Sequence, residues 1–264
     1  MKMLKLMAVP LLAFSALSLA HEVADPSIVH NARDGVVRLY GAGGPHTAFK
    51  KVAAVFTKET GIPVEINGGP ESSWSKRAQA NADILWGTAE EQITAMLETY
   101  KDFDTTKVEP IYLRPAVIAV RKGNPKHITG FADLLKPGMR IVVTEGAGVA
   151  NTSGTGSWED IAGSHGSLAE VKAFRNNIVG SGTGSGAAFK KFNSEHADAW
   201  ITWPNWPITH PDELQLVKLA KDRTVWRDVN VVMADDADPS AKAFLAFLTS
   251  DRGAKIMKTE GWVR

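Results

Sequence analysis

Three glycine-rich turns and two arginines carry the chemistry in this sequence. The turns are Gly41-Ala42-Gly43-Gly44-Pro45-His46-Thr47, Gly68-Gly69-Pro70-Glu71-Ser72-Ser73-Trp74, and the stretch from Gly146 to Gly156 that ends Asn151-Thr152-Ser153-Gly154-Thr155-Gly156. Each sits where the pattern predicts a helix to begin. Glycine lets backbone N–H groups approach a ligand, and a helix start leaves several of them unpaired. The helix dipole adds partial positive charge there, so carboxylate, phosphate or sulfate is the natural guest. A lone turn of this kind is more often a simple cap; three of them, spread over the chain, favour an anion site. None is a nucleotide motif. No G-x-x-x-x-G-K-[ST] occurs, and Gly41-Ala42-Gly43 lacks the third glycine of the dinucleotide fingerprint.

The arginines fit the same chemistry. Arg114 interrupts an apolar run, where burial is costly without an anionic partner. Arg227 stands just before another apolar run, and either forks onto a ligand or pairs with Asp228 or another carboxylate. His46 is either a ligand contact or a hydrogen-bonding helix-start residue. Trp200, Trp203 and Trp206 either wall a cleft or fill a core. Trp203 and Asn205 follow the carboxyl end of a predicted strand, the place where open α/β sheets bind ligands.

The elements that must hold these residues alternate between short apolar runs and amphipathic stretches, the pattern of α/β packing. Strands are predicted at 36–40, 64–66, 84–86, 111–120, 141–144, 199–202 and 229–234. Helices are predicted at 47–59, 158–163, 168–176, 187–194, 240–248 and 252–260. The long run at 111–120, broken by Arg114 and Pro115, suits a segment leaving one lobe for another. Asp238-Pro239-Ser240 and Ser250-Asp251 read as helix starts.

Bulk composition narrows the function. Lys2 and Lys5, the apolar stretch Leu11 to Leu19, and the small-residue ending Ser18-Leu19-Ala20 form a secretory signal, residues 1–20, with the exported chain starting at His21. Of 30 Lys and Arg against 29 Asp and Glu, two leave with the leader, so the exported chain is nearly neutral. That balance gives no support to nucleic-acid binding. With no cysteine, thiolate metal sites, thiol nucleophiles and a lipid-anchored amino terminus are excluded. Neither G-x-S-x-G nor H-E-x-x-H is present. These absences point away from an enzyme, and no cofactor or metal is expected.

Tyr40 to Thr47, Asn81-Ala82-Asp83-Ile84-Leu85-Trp86-Gly87, and the third glycine turn resemble the accessory colonization factor AcfC and Peb-type major antigenic surface protein family. That family lies among the class II periplasmic binding proteins. Trp158 to Gly163, Asp198 to Trp203, Arg227 to Val232 and the Phe244–Trp262 tail extend the resemblance. It implies an α/β fold of two lobes joined by two crossover strands: residues 21–113 with 229–264, and residues 114–228. It also implies capture of a sulfate-like ion, citrate or a phosphorylated three-carbon acid. By motif position the ligand contacts would be Gly44, His46, Thr47, Ser72, Ser73, Thr152, Ser153 and Thr155, with Arg114 and Arg227 as charge partners. Trp203 joins them as a cleft wall. The turn Gly180 to Gly186 departs from the family pattern by its extra glycines, with Ser185 as its candidate contact. The expected role is a periplasmic binding protein serving an ABC-transporter permease or a membrane receptor, with homodimers known in the family. The alternative is a surface adhesin or antigen that keeps the anion pocket.

Overall fold

A computed structural model describes residues 23–146 and 152–264. The expected leader, the start at His21 and residues 147–151 of the third turn lie outside the described residues. In chain order the strands are β1 (Val37–Gly41), β2 (Val64–Gly68), β3 (Ile84–Gly87), β4 (Glu109–Pro115), β5 (Val117–Arg121), β6 (Ile141–Glu145), β7 (Ile178–Thr183), β8 (Ala199–Thr202), β9 (Leu214–Lys218) and β10 (Trp226–Met233). The helices are α1 (His46–Thr60), α2 (Ser75–Asn81), α3 (Glu90–Leu97), α4 (Phe131–Leu134), α5 (Ser157–Gly163), α6 (Leu168–Asn176), α7 (Ser185–Ser194), α8 (Asn205–Thr209), α9 (Pro239–Leu248) and α10 (Asp251–Thr259).

The strands form two mixed sheets, one per lobe. The first has the order β2-β1-β3-β10-β4 and the second β7-β6-β8-β5-β9. In the first, β1 runs parallel to β2 and β3, and β10 returns antiparallel between β3 and β4. In the second, β6 runs parallel to β7 and β8, and β5 is antiparallel to β8 and β9.

Both faces of each sheet are buried, which is why the central strands read as unbroken apolar runs rather than alternations. On β1 and β3, Val37, Leu39, Ile84 and Trp86 enter one core with Phe49 of α1 and Phe244 of α9. Tyr40 and Leu85 enter the opposite core with Trp74 and Tyr100. The second sheet repeats this: Ile118, Ile141 and Ile201 face one core, while Ala119, Val142 and Trp200 face the other. The C-terminal helix pair starts where the sequence predicts. The Asp238 side chain accepts from Ser240 N at 2.9 Å, and the Ser250 hydroxyl accepts from Gly253 N at 3.2 Å.

Several elements depart from the sequence reading. The run 111–120 is two strands, because Ala116 leaves the ladder and its N–H donates to Val225 O at 2.7 Å. That bond ties the two interlobe crossings together. Strand pairing keeps the first sheet to Pro115 and resumes it at Trp226, so the sheets exchange slightly inside the lobe boundaries drawn at 113/114 and 228/229. The glycine-rich segment after Asn177 is not all turn. Its first half is strand β7, and a Cβ on Gly182 would overlap the backbone of Ala187 and Ala188 where α7 packs on it. Strand β9 and helix α8 also had no counterpart in the sequence reading.

Candidate functional site

Loops at the carboxyl ends of parallel strands in both sheets converge on Arg114. After β1 comes the first glycine turn, after β3 Thr88, after β6 the third glycine turn, and after β8 Trp203 to Asn205. Loops at these ends are where open α/β sheets place ligands. Arg114, next to last in β4, is the charge they surround.

Arg114 is 2% exposed, and its surroundings come from both lobes. Nη2 donates to the Ser153 hydroxyl at 2.8 Å and Nη1 to Asn205 Oδ1 at 3.4 Å. Its guanidinium carbon lies 4.4 Å from the centre of the Trp203 ring, which belongs to the second lobe. The ring of Trp262, from the first lobe's C-terminal end, lies 4.6 Å away. Two indoles therefore hold the cation, an arrangement worth most where water is excluded. Gly44 presses its backbone against the same group. Its φ is +24°, and a Cβ there would fall 2.9 Å from Thr88 Cγ2 and 3.1 Å from Arg114 Nη1.

The electrostatics of this cluster are unbalanced. Burial pushes the Arg114 guanidinium down to about 9, and the nearby charge of Asp228 only partly offsets that. At neutral pH the group is still a cation, and arginine does not escape burial by losing its proton. Its side-chain hydrogen bonds among the described residues go to neutral oxygens, of Ser153 and Asn205. Arg114 Nε and, on the ring beside it, Trp262 Nε1 are buried without a hydrogen-bond partner among those residues. A buried cation with spare donors is arranged to meet an anion.

The other expected contacts divide into two groups. Thr152 and Thr155 share the turn with Ser153 and order it: Thr152 N donates to Thr155 Oγ1 at 3.0 Å, and Gly154 N to Thr152 Oγ1 at 3.3 Å. Ser185 opens α7 just after Gly184, whose Cβ position lies 3.9 Å from Thr152 Cγ2. His46 opens α1 beside Gly44, with Nδ1 3.3 Å from Gly43 O; burial lowers its pKa, so the ring is neutral at pH 7.

The remaining residues point to other partners. Thr47 donates to Glu260 Oε2 at 3.4 Å. Ser72 is exposed, and the exposed Ser73 turns its hydroxyl back to Pro70 O at 2.7 Å. Arg227 pairs with Asp160 of α5 at 2.8 Å, a second link between the lobes. Trp200 and Trp206 belong to the second lobe's core, with Trp200 Nε1 donating to Thr144 Oγ1 at 3.1 Å. Asn205, noted in the sequence only as following a strand's carboxyl end, completes the cluster with Thr88 and Trp262, which were not singled out. Thr88 and Asn205 had a visible signal, since both closely follow strands; nothing in the sequence brings Trp262 to Arg114.

Comparison with known proteins shows the family and the fold. The model of a family described as bacterial extracellular solute-binding protein matches residues 37–263. No curated protein sequence matches the chain. Among solved structures, L-phospholactate-bound PEB3 shares 43% identity at a TM-score of 0.82, covering 86% of this chain and 99% of that one. Peb3 from Campylobacter jejuni shares 42% at 0.81, with the same coverage. The sulfate-binding protein SubI from Mycobacterium tuberculosis H37Rv is 20% identical at a TM-score of 0.66, covering 87% of this chain and 86% of that one, a likeness of fold.

Proposed function

Because the chain belongs to the bacterial extracellular solute-binding protein family, we propose that it captures a small anion between its lobes around the Arg114 guanidinium. The observation that carries this reading is a buried arginine held by two indoles and two neutral oxygens, with no direct carboxylate partner among the described residues. An anion meeting that group repays a desolvation cost that the protein already bears. A neutral solute of the same shape would leave the charge uncompensated and the donors unpaired. Gly44, Ser153 and Asn205 frame the charge, with Thr152, Thr155, Ser185 and His46 on adjoining turns.

Within this class the favoured guest is a phosphorylated three-carbon acid. A relative at 43% identity was solved with L-phospholactate, whereas the sulfate-binding neighbour shares the fold alone. Such a ligand carries two anionic ends, which suits turns contributed by both lobes better than a single tetrahedral ion does. Closure of the lobes brings Ser153 and Asn205 of one lobe onto Arg114 of the other, so a ligand that prefers the closed arrangement stabilises it. The family is one of solute-binding proteins, and the reading has no catalytic step. Its place is the periplasm, handing the ligand to an ABC-transporter permease or a membrane receptor. No observation favours the adhesin alternative.

A thermal-shift series with the exported chain tests this, using L-phospholactate, phosphoglycerates, citrate, sulfate, molybdate and an uncharged three-carbon polyol. An anion at ~100 times its dissociation constant should stabilise the fold by about 2.7 kcal/mol, a clear rise in melting temperature. A rise with the polyol and with no anion would overturn the reading.

A further inference from the structure

We propose that the C-terminal pair Gly261–Trp262 is a positioning element of the ligand site, carrying the first lobe's half of the clamp on Arg114 and setting how closely the lobes approach. The inference rests on the reading of the cleft as an anion site and names residues that act on its central charge. Four observations meet in this short segment.

First, it is anchored to the first lobe on both sides. Glu260, 3% exposed, pairs with Lys51 of α1 and accepts from Thr47. Val263 exchanges two backbone hydrogen bonds with Leu113, at 2.7 and 2.8 Å, along the outer edge of β4. Leu113 immediately precedes Arg114, so the segment and the arginine are carried on one backbone frame. Second, Trp262 is 1% exposed and its ring lies 4.6 Å from the guanidinium carbon, with the Trp203 ring of the second lobe 4.4 Å away. Held between two rings, the guanidinium meets its partners through its N–H groups, of which Nε has no partner among the described residues, and such groups recognise carboxylate and phosphate.

Third, Gly261 is one point where the two lobes touch. Its φ is +85°, and a Cβ there would lie 2.5 Å from Pro204 Cβ and 3.3 Å from Ile208 Cδ1. Pro204 sits between Trp203 and Asn205, so any group that pushes it outward also moves a clamp ring and a hydrogen-bond partner of Arg114. Its ring is stiff and cannot swing aside as a flexible side chain would. Fourth, the Trp262 indole N–H is buried with no hydrogen-bond partner among the described residues, which leaves a donor beside the arginine. The absence of a side chain at position 261 is thus a condition for the closed arrangement around Arg114.

A bump-and-hole series tests this. Gly261→Ala adds the methyl that meets Pro204; Pro204→Gly removes the carbon it meets. Wild type, both single variants and the double variant are compared by solution scattering without ligand, and by calorimetric titration with L-phospholactate. Left-handed backbone strain is common to Gly261→Ala and the double variant, so the difference between these two isolates the contact between lobes. The expected result is a larger radius of gyration and an affinity loss of about tenfold in Gly261→Ala, both reversed toward the Pro204→Gly baseline in the double variant. Radius and affinity equal to wild type in Gly261→Ala, or a loss that Pro204→Gly leaves in place, would overturn the proposal. Should wild type take up no L-phospholactate, the anion reading of the cleft fails, while the ligand-free radius series still decides the role of Gly261.

Discussion

Arg114 concentrates the account at the scale of single residues. A buried cation without a bound counter-charge is a burden on the ligand-free fold, and replacing such a charge by an apolar side chain of similar length is often neutral or stabilising. Arg114→Met keeps the stem between Trp203 and Trp262 and removes the charge. The variant without ligand is expected to melt at or above the wild-type temperature, read by differential scanning calorimetry. A fall of several degrees would mean that Arg114 holds the lobes together for its own sake. Asp83 offers a separate check on the first lobe. It is fully buried, accepts from the backbone N–H groups of Arg38 and Asp238 at 2.6 Å each, and is pushed up from 3.8 to about 6, chiefly by burial. A carboxyl whose folded pKa is raised contributes stability that is full below about pH 4 and lost as pH rises through about 6. The shift corresponds to about 3 kcal/mol. The stability gap between wild type and Asp83→Asn is expected to narrow as pH rises from 4 to 7 in urea unfolding; a constant gap would contradict the buried-carboxyl argument. Members of the candidate cluster were legible in the sequence where a charge broke an apolar run, as Arg114 does, or where glycine and hydroxyls gathered, as at Thr152–Thr155. Thr47 and Arg227 were less so, because their partners Glu260 and Asp160 are distant in sequence.

Elements were readable where burial on both faces imposed a continuous apolar run, as at 84–87, 141–145 and 199–202. Strand β7 escaped because Ile-Val-Gly-Ser-Gly-Thr has the composition of a turn. Its glycines are there for packing: α7 lies so close that Gly182 has no room for a methyl, and the Lys191 stem covers Gly180. Strand β9, Leu-Gln-Leu-Val-Lys, is an edge strand with two exposed polar residues and so lacked a strong signal. The close fit of β7 to α7 also has a functional consequence. Gly182→Ala would drive α7 outward, together with Gly184 and Ser185 beside the Thr152 turn. A stability loss of about 1–3 kcal/mol is expected in urea unfolding, accompanied by weaker anion binding. A loss of stability with full binding would separate Ser185 from the site.

At the scale of the whole molecule, each lobe has its own pair of cores, and the links between lobes mix polar and apolar contacts. Among the described residues they include the paired crossings at Ala116 and Val225, the Arg227–Asp160 ion pair, the Gly261–Pro204 contact and the cluster on Arg114. Stable lobes with a lightly held gap are what hinge closure around a ligand requires. The two-lobe plan was legible from the strand–helix order and the family resemblance. The interlobe contacts were not, since they join residues that nothing local in the sequence relates. The central claim is that anion capture runs through Arg114, and calorimetric titration of L-phospholactate into wild type and Arg114→Met tests it most directly. Binding by wild type with a loss of about 2–5 kcal/mol in the variant is the expected result. Equal affinity in both, with the variant folded, would contradict it.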